Sequence, residues 1–141
     1  MFKIKKTYED FLGNEQTETF RFNITESEMM DMVKSDPTFK PEYLIYLAQE
    51  QKAFEMLDVI RKLLVISYGE LSEDGKHFLK SDEKATLFVQ SAAYNEILND
   101  FITSKDENLL KNFVINTFPK KYTEEAMKNS ANFPKLEVNN N

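Results

Sequence analysis

The spacing of apolar residues changes once along this chain, and that change dictates a fold in two parts. Phe2, Ile4 and Tyr8, then Phe20, Phe22 and Ile24, keep to even spacings with Lys, Thr, Arg and Asn mostly between them. This is the period of a strand with one buried face. Leu12-Gly13-Asn14 supplies a turn between the two runs, so residues 2–24 are expected to form an antiparallel β-hairpin. An isolated hairpin is marginal in water, so its apolar face must lie on helices. Those helices are expected across residues 25–118, giving an α+β, mostly α fold in which the N-terminal hairpin packs on a bundle of about five helices.

The helical body is read from its caps and breaks. Thr25 and Glu28 fit a capping box ahead of Met29, Met30 and Val33. Asp36-Pro37 ends that helix, and Pro41 opens the next, with Tyr43, Tyr46 and Leu47 on one face. From Lys52 to Tyr68 the apolar residues occupy two faces, Phe54, Leu57, Leu64 and Tyr68 on one and Met56, Leu63 and Ile66 on the other. Such a helix is expected at the centre, buried on both sides. Gly69 is expected as its left-handed cap, and Ser72-Glu73-Asp74-Gly75 as a tight turn that returns Phe78 and Leu79 to the core. Ser81 then caps a helix carrying Leu87, Ser91, Tyr94, Leu98 and Phe101. Ser104 and Glu107 form a second capping box before Leu109, Leu110, Phe113, Val114 and Thr117, and Pro119 ends that helix. Residues 119–141 are mostly Lys, Glu, Asn, Ser and Thr, and are expected to be a mobile polar tail with at most one helical turn near Thr123 to Met127.

Composition removes several functions. A net charge of −6, with one short basic cluster at Lys3, Lys5 and Lys6, argues against nucleic acid and anionic membrane as partners. The chain has no cysteine, its start has no apolar leader segment, and no run approaches membrane-spanning length, so a cytosolic location is expected. His77 is the single histidine, which leaves no histidine-based triad or multi-histidine metal site; an exposed hairpin residue is its expected role. Glu70, Glu73 and Asp74 lack the alternation and closing Glu of a calcium loop. The three glycines lie far apart, which excludes a glycine-rich phosphate loop. No enzyme activity, metal or cofactor is expected.

What the composition does supply is soft and aromatic side chains: 12 Phe, 6 Tyr and 6 Met. Met29, Met30, Phe39, Tyr43 and Tyr46 sit in short, Pro-broken elements, and for any one of them filling the core is the simpler role. As a group they could form an adaptable apolar surface for a partner.

Two blocks carry a family resemblance. Tyr8, Asp10, Phe11 and Gly13, followed by Thr17, Glu18, Phe20, Phe22, Asn23, Ile24, Thr25 and Glu28, form the first. Tyr68, Gly69, Glu70, Ser72, Asp74, Gly75, Phe78, Lys80 and Ser81, with Phe88, Ala93 and Tyr94 beyond, form the second. Together they resemble the tail assembly chaperones of long-tailed, siphovirus-type bacteriophages, over roughly residues 3–118. The stretch Asp36-Pro37-Thr38-Phe39-Lys40-Pro41 and the polar tail depart from the family pattern. The resemblance implies a non-catalytic protein that binds the tape measure protein and keeps it soluble until tail tube subunits polymerise around it. It also implies self-association, a possible contact with the major tail protein, residence in the cytoplasm of the infected or lysogenic host, and absence from the mature virion. A structural virion subunit, such as a connector or completion protein, and a host-directed regulatory module are the alternatives.

In this family a longer product is often made by a −1 ribosomal slip near the end of the shorter frame. Phe-Pro-Lys, which can encode a slippery heptamer, occurs at Phe118-Pro119-Lys120 and at Phe133-Pro134-Lys135. Both sites would spare the expected helical body.

Overall fold

A computed structural model of the chain describes residues 1–50, 53–106 and 108–130. Strands β1 (Phe2–Glu9) and β2 (Glu15–Phe22) form the expected hairpin, in the register that sets Phe2 against Phe22 and Ile4 against Phe20. One carboxylate shapes the turn. Asp10 accepts from the Leu12 and Asn14 amides and from Gln16 Nε2, each at 2.9 Å, and Gly13 takes a φ of 84°. The Gln16 and Asn14 donors hold the Asp10 carboxyl below its usual range.

The hairpin is half of a larger sheet. Strand β3 (Tyr68–Leu71) pairs antiparallel with β2, and the short β4 (Phe78–Leu79) pairs antiparallel with β3, giving the order β1-β2-β3-β4. This changes the role of Gly69. It lies within β3 opposite Arg21, outside the left-handed region, and the helix before it is capped by Tyr68 in extended conformation. A Cβ at Gly69 would sit 2.6 Å from the Phe78 ring, so the missing side chain is explained by close packing rather than by a cap. The turn between β3 and β4 follows expectation. Ser72 Oγ and the Lys76 amide both donate to Asp74 Oδ1, Gly75 has a φ of 74°, and His77 is exposed.

Seven α-helices are described. Helix α1 (Glu26–Ser35) starts on the expected capping box: the Glu28 amide donates to Thr25 Oγ1, and the Thr25 amide donates to Glu28 Oε1 at 2.9 Å. A 3-10 turn at Pro37–Phe39 leads into α2 (Pro41–Glu50), buried over most of its circumference. The expected long central helix starts later, as a 3-10 turn at Ala53–Met56 followed by α3 (Leu57–Ser67). Lys52 lies outside the described residues. The expected helix after Ser81 is two, α4 (Asp82–Val89) and α5 (Ala92–Thr103), because the Ser91 hydroxyl accepts from the Tyr94 amide and starts a new helix. Ser104 turns out to be the C-cap of α5, and α6 (Leu109–Thr117) begins after Asn108; Glu107, the other half of the expected capping box, lies outside the described residues.

Phe22 joins sheet to helices. It is fully buried, with ring centroids within 6.4 Å of Phe2, Tyr68, Phe88 and Phe113. As β2 leaves the sheet, the Asn23 amide donates to Ser67 O and the Ile24 amide to Thr117 O, both at 2.8 Å. The exiting strand thereby satisfies carbonyls at the C-termini of α3 and α6, which have no partner inside their own helices.

The expected single turn beyond Pro119 is an eleven-residue helix, α7 (Lys120–Ser130). It packs on α2, burying Thr123 and Ala126, while Lys121 Nζ and the Tyr122 hydroxyl meet the Glu26 carboxylate on α1. Residues from 131 onward, including Phe133-Pro134-Lys135, lie outside the described residues.

Candidate functional site

Helix α3 is less buried than its sequence suggests. Ile60, Leu63 and Leu64 are sealed in the core, yet the next two residues, Val65 and Ile66, are 36% and 37% exposed. Successive helical residues point about 100° apart, so these two form a ridge with a groove on either side. On the Ile66 side lies a groove of about 460 Å³ against α1, with Met32 and Phe39 as apolar walls and Glu28, Asp31, Asp36 and Lys62 among its polar lining. On the Val65 side lies one of about 350 Å³ against α4, lined by Ala85 and Val89 together with Asp82, Thr86 and Gln90. The two grooves and their ridge make one apolar face across three helices.

Acidic groups outnumber basic ones around this face. The Asp36 carboxyl is held below its usual range first by the Thr38 hydroxyl, then by the Thr38 amide, with Lys62 adding to the effect. Lys62 also sits 5.9 Å from the centre of the Phe39 ring. Glu28 is fixed from two directions: Lys80 Nζ donates to both its oxygens at 2.9 Å and also to Asn23 O. Burial pushes the Glu28 carboxyl up, but the Thr25 amide and the Lys80 ammonium outweigh it and leave it below 4.5. Lys80 therefore clamps the start of α1, one wall of the groove, to the strand that leaves the sheet.

The five residues singled out as a surface do not make one. Met29, Phe39 and Tyr46 are buried, Tyr43 is half-buried and stacked on Tyr46, and only Met30 is well exposed, at 57%. Core filling accounts for Met29 and Tyr46, whereas Phe39 lines the groove as well. Tyr68, Gly69, Ser72, Asp74, Gly75 and Phe78 act structurally: Tyr68 stacks on Phe88 at 4.2 Å, and the others build the β3–β4 hairpin. The missed residues, Val65 and Ile66, are hidden in sequence because they continue the apolar run Leu63-Leu64 without interruption.

Among the described residues no cluster of His, Cys, Asp and Glu could hold a metal ion, and no helix is long and apolar enough to cross a membrane. Comparisons with curated proteins and with solved structures find no match. A family model described as phage tail assembly chaperone matches residues 1–141, the full length of the sequence. The chain is therefore a member of the phage tail assembly chaperone family.

Proposed function

We propose that this chaperone is non-catalytic and holds apolar helical segments of the tape measure protein on the ridge-and-groove face of α3, keeping that long client soluble until the tail tube polymerises around it. The observation that carries this reading is the pair of exposed apolar residues Val65 and Ile66 between two open grooves, in a chain of this family. An amphipathic helix lays its apolar stripe into such a groove in many complexes. The carboxylates of Asp31, Asp36 and Asp82 favour a client with Lys or Arg beside that stripe. One protomer covers a short piece of a long client, so several copies act together, and the chaperone self-associates. It works in the cytoplasm of the infected or lysogenic host, meets the major tail protein at hand-over, and is left out of the virion. A minority longer product belongs to the same reading, made by frameshifting at Phe133-Pro134-Lys135 or at Phe118-Pro119-Lys120, where the new frame would replace α7.

Paired substitution of Val65 and Ile66 by Asp tests it. Co-purification of tape measure fragments should be lost while cooperative melting persists, because both side chains already face water in part. Phe54→Ser, at a residue 69% exposed beside a separate groove, serves as the control that keeps binding. Retained binding in the double variant together with loss in the control would move the client to that second groove.

A further inference from the structure

Strand β1 is the first strand of the sheet, and its outer edge carries a pattern of its own. The Asp10 amide donates to Asn14 O at 2.8 Å, so the Asp10 backbone faces β2, and the Asn23 amide donates to Ser67 O on the far side, so even residues of β2 face β1. Counting back along the register, Tyr8, Lys6, Ile4 and Phe2 turn their amide groups toward β2. Lys3, Lys5, Thr7 and Glu9 therefore turn theirs outward. Among the described residues no hydrogen bond from another element reaches these outward groups. All four side chains are exposed. Such an edge is a template for another strand unless something blocks it.

Charge along this edge is polarised. Lys3 and Lys5 lie at one end, Thr7 follows, and Glu9 lies at the other. An antiparallel strand of the same sequence runs the opposite way, so basic end meets acidic end. The hydrogen-bond alternation permits only registers that set odd residues opposite odd residues. One of these puts Lys5 against Lys5 and is disfavoured, since like charges directly opposite repel. Shifting by one step sets Lys3 against Glu9 twice and Lys5 against Thr7, and engages the whole strand. On the inner face this register sets Ile4 against Tyr8. Lys6 then meets its own copy across the axis, but each Lys6 ammonium is held at 2.7 Å by Asp100 of its own chain.

We propose that β1 pairs with β1 of a second copy about a two-fold axis, joining the two sheets with Lys3 of one copy opposite Glu9 of the other. This rests on the reading that the chaperone self-associates, and it names the surface. Because the contact is isologous it consumes the β1 edge, and assembly through it stops at a dimer. The opposite edge, β4, spans two residues and offers little for further strand addition.

Sedimentation equilibrium on the full chain and on charge variants tests the pairing. Lys3→Glu alone and Glu9→Lys alone should each weaken dimerisation by about tenfold or more, since each converts both symmetric pairs to like charge. The double swap Lys3→Glu with Glu9→Lys should restore it. Thr7→Pro, which removes an outward amide and none facing β2, should give monomers that still melt cooperatively. A wild-type chain that stays monomeric overturns both the pairing and the self-association reading. A dimer indifferent to all four variants overturns the pairing alone and leaves self-association to another face. Single reversals that weaken the dimer without rescue by the double swap overturn the register.

Discussion

Replacing Gly69 with Ala separates two reasons for a glycine at this position. If Gly69 were a left-handed cap, Ala would be strained by its own backbone, whatever stood nearby. In the structure the backbone accepts any residue, and the obstacle is the Phe78 ring, whose three nearest carbons would lie 2.6, 2.8 and 2.9 Å from the new Cβ. Those carbons belong to a half-buried side chain that can swing outward, so the clash is relieved by losing the ring's contact with β3 and its place beside Lys80, 5.7 Å from the ring centre. Overpacking costs about 1–3 kcal/mol, and the mobile ring puts this case at the low end. Reduced unfolded-chain entropy returns about 0.4–1 kcal/mol. A net loss of about 0.5 kcal/mol follows, or about 2 °C in Tm for a domain of this size. Urea unfolding of Gly69→Ala, Phe78→Leu and the double variant reads both the loss and its origin. The smaller, more flexible Leu should absorb the clash, so Gly69→Ala should be neutral or slightly stabilising in that background. An equal loss in both backgrounds would return the explanation to the backbone and refute the packing argument.

Other outcomes follow from single contacts. Lys80→Met leaves the half-buried Glu28 with only the Thr25 donors and should cost about 1 kcal/mol at neutral pH. The Glu28 carboxyl is held below 4.5, so its contribution to stability is present above that pH and disappears as pH falls through the depressed value. The variant should therefore show a shallower acid limb in a stability-versus-pH titration; an unchanged limb would show that Glu28 is not the group responsible. Thr117→Val should stabilise by about 1 kcal/mol, because the buried Thr117 hydroxyl has no hydrogen-bond partner among the described residues and Val keeps its shape. A loss in chemical denaturation would reveal a partner for that hydroxyl. Truncation after Pro119 strips α7 from α2 and should lower stability by roughly 2 kcal/mol while promoting aggregation through the uncovered helix. A truncated chain as stable as the intact one would mean that α7 contributes nothing to the fold.

Local chemistry was legible in the sequence wherever one or two residues decide the outcome. The even-numbered alternation and the Leu12-Gly13-Asn14 turn marked β1 and β2 as a hairpin, the Thr25–Glu28 box opened α1, and Asp74-Gly75 made its turn. Decisions that belong to distant residues were not legible. Gly69 looked like a cap because the reason for its missing side chain, the Phe78 ring, comes from the next strand. Ser91 looked like a helix-face residue because a serine within a helical period and a serine that starts a new helix read alike. The polar composition of residues 120–130 concealed α7, which docks through small residues, Thr123 and Ala126, rather than through an apolar stripe. Exposed Val65 and Ile66 were invisible for the opposite reason: hydrophobicity marks a residue as able to be buried, and only the packing of α1 and α4 leaves these two in water. Legible caps and illegible docking explain why the fold was anticipated more fully than the surface.

The Phe22 cluster also sets the order in which the chain can become itself on the ribosome. Phe22 emerges early, but its ring partners Tyr68, Phe88 and Phe113 follow much later, the last about ninety residues on. At bacterial elongation rates of about 5–20 residues per second, that leaves the apolar side of the hairpin without its cover for about 5–20 s. Contacts so distant in sequence delay closure further, because loop entropy must be overcome before they form. A member of an assembly chaperone family thus passes its own synthesis with an apolar segment of its own bare. Slowing translation between codons 22 and 113 should lower its soluble yield more than the same delay placed after codon 118.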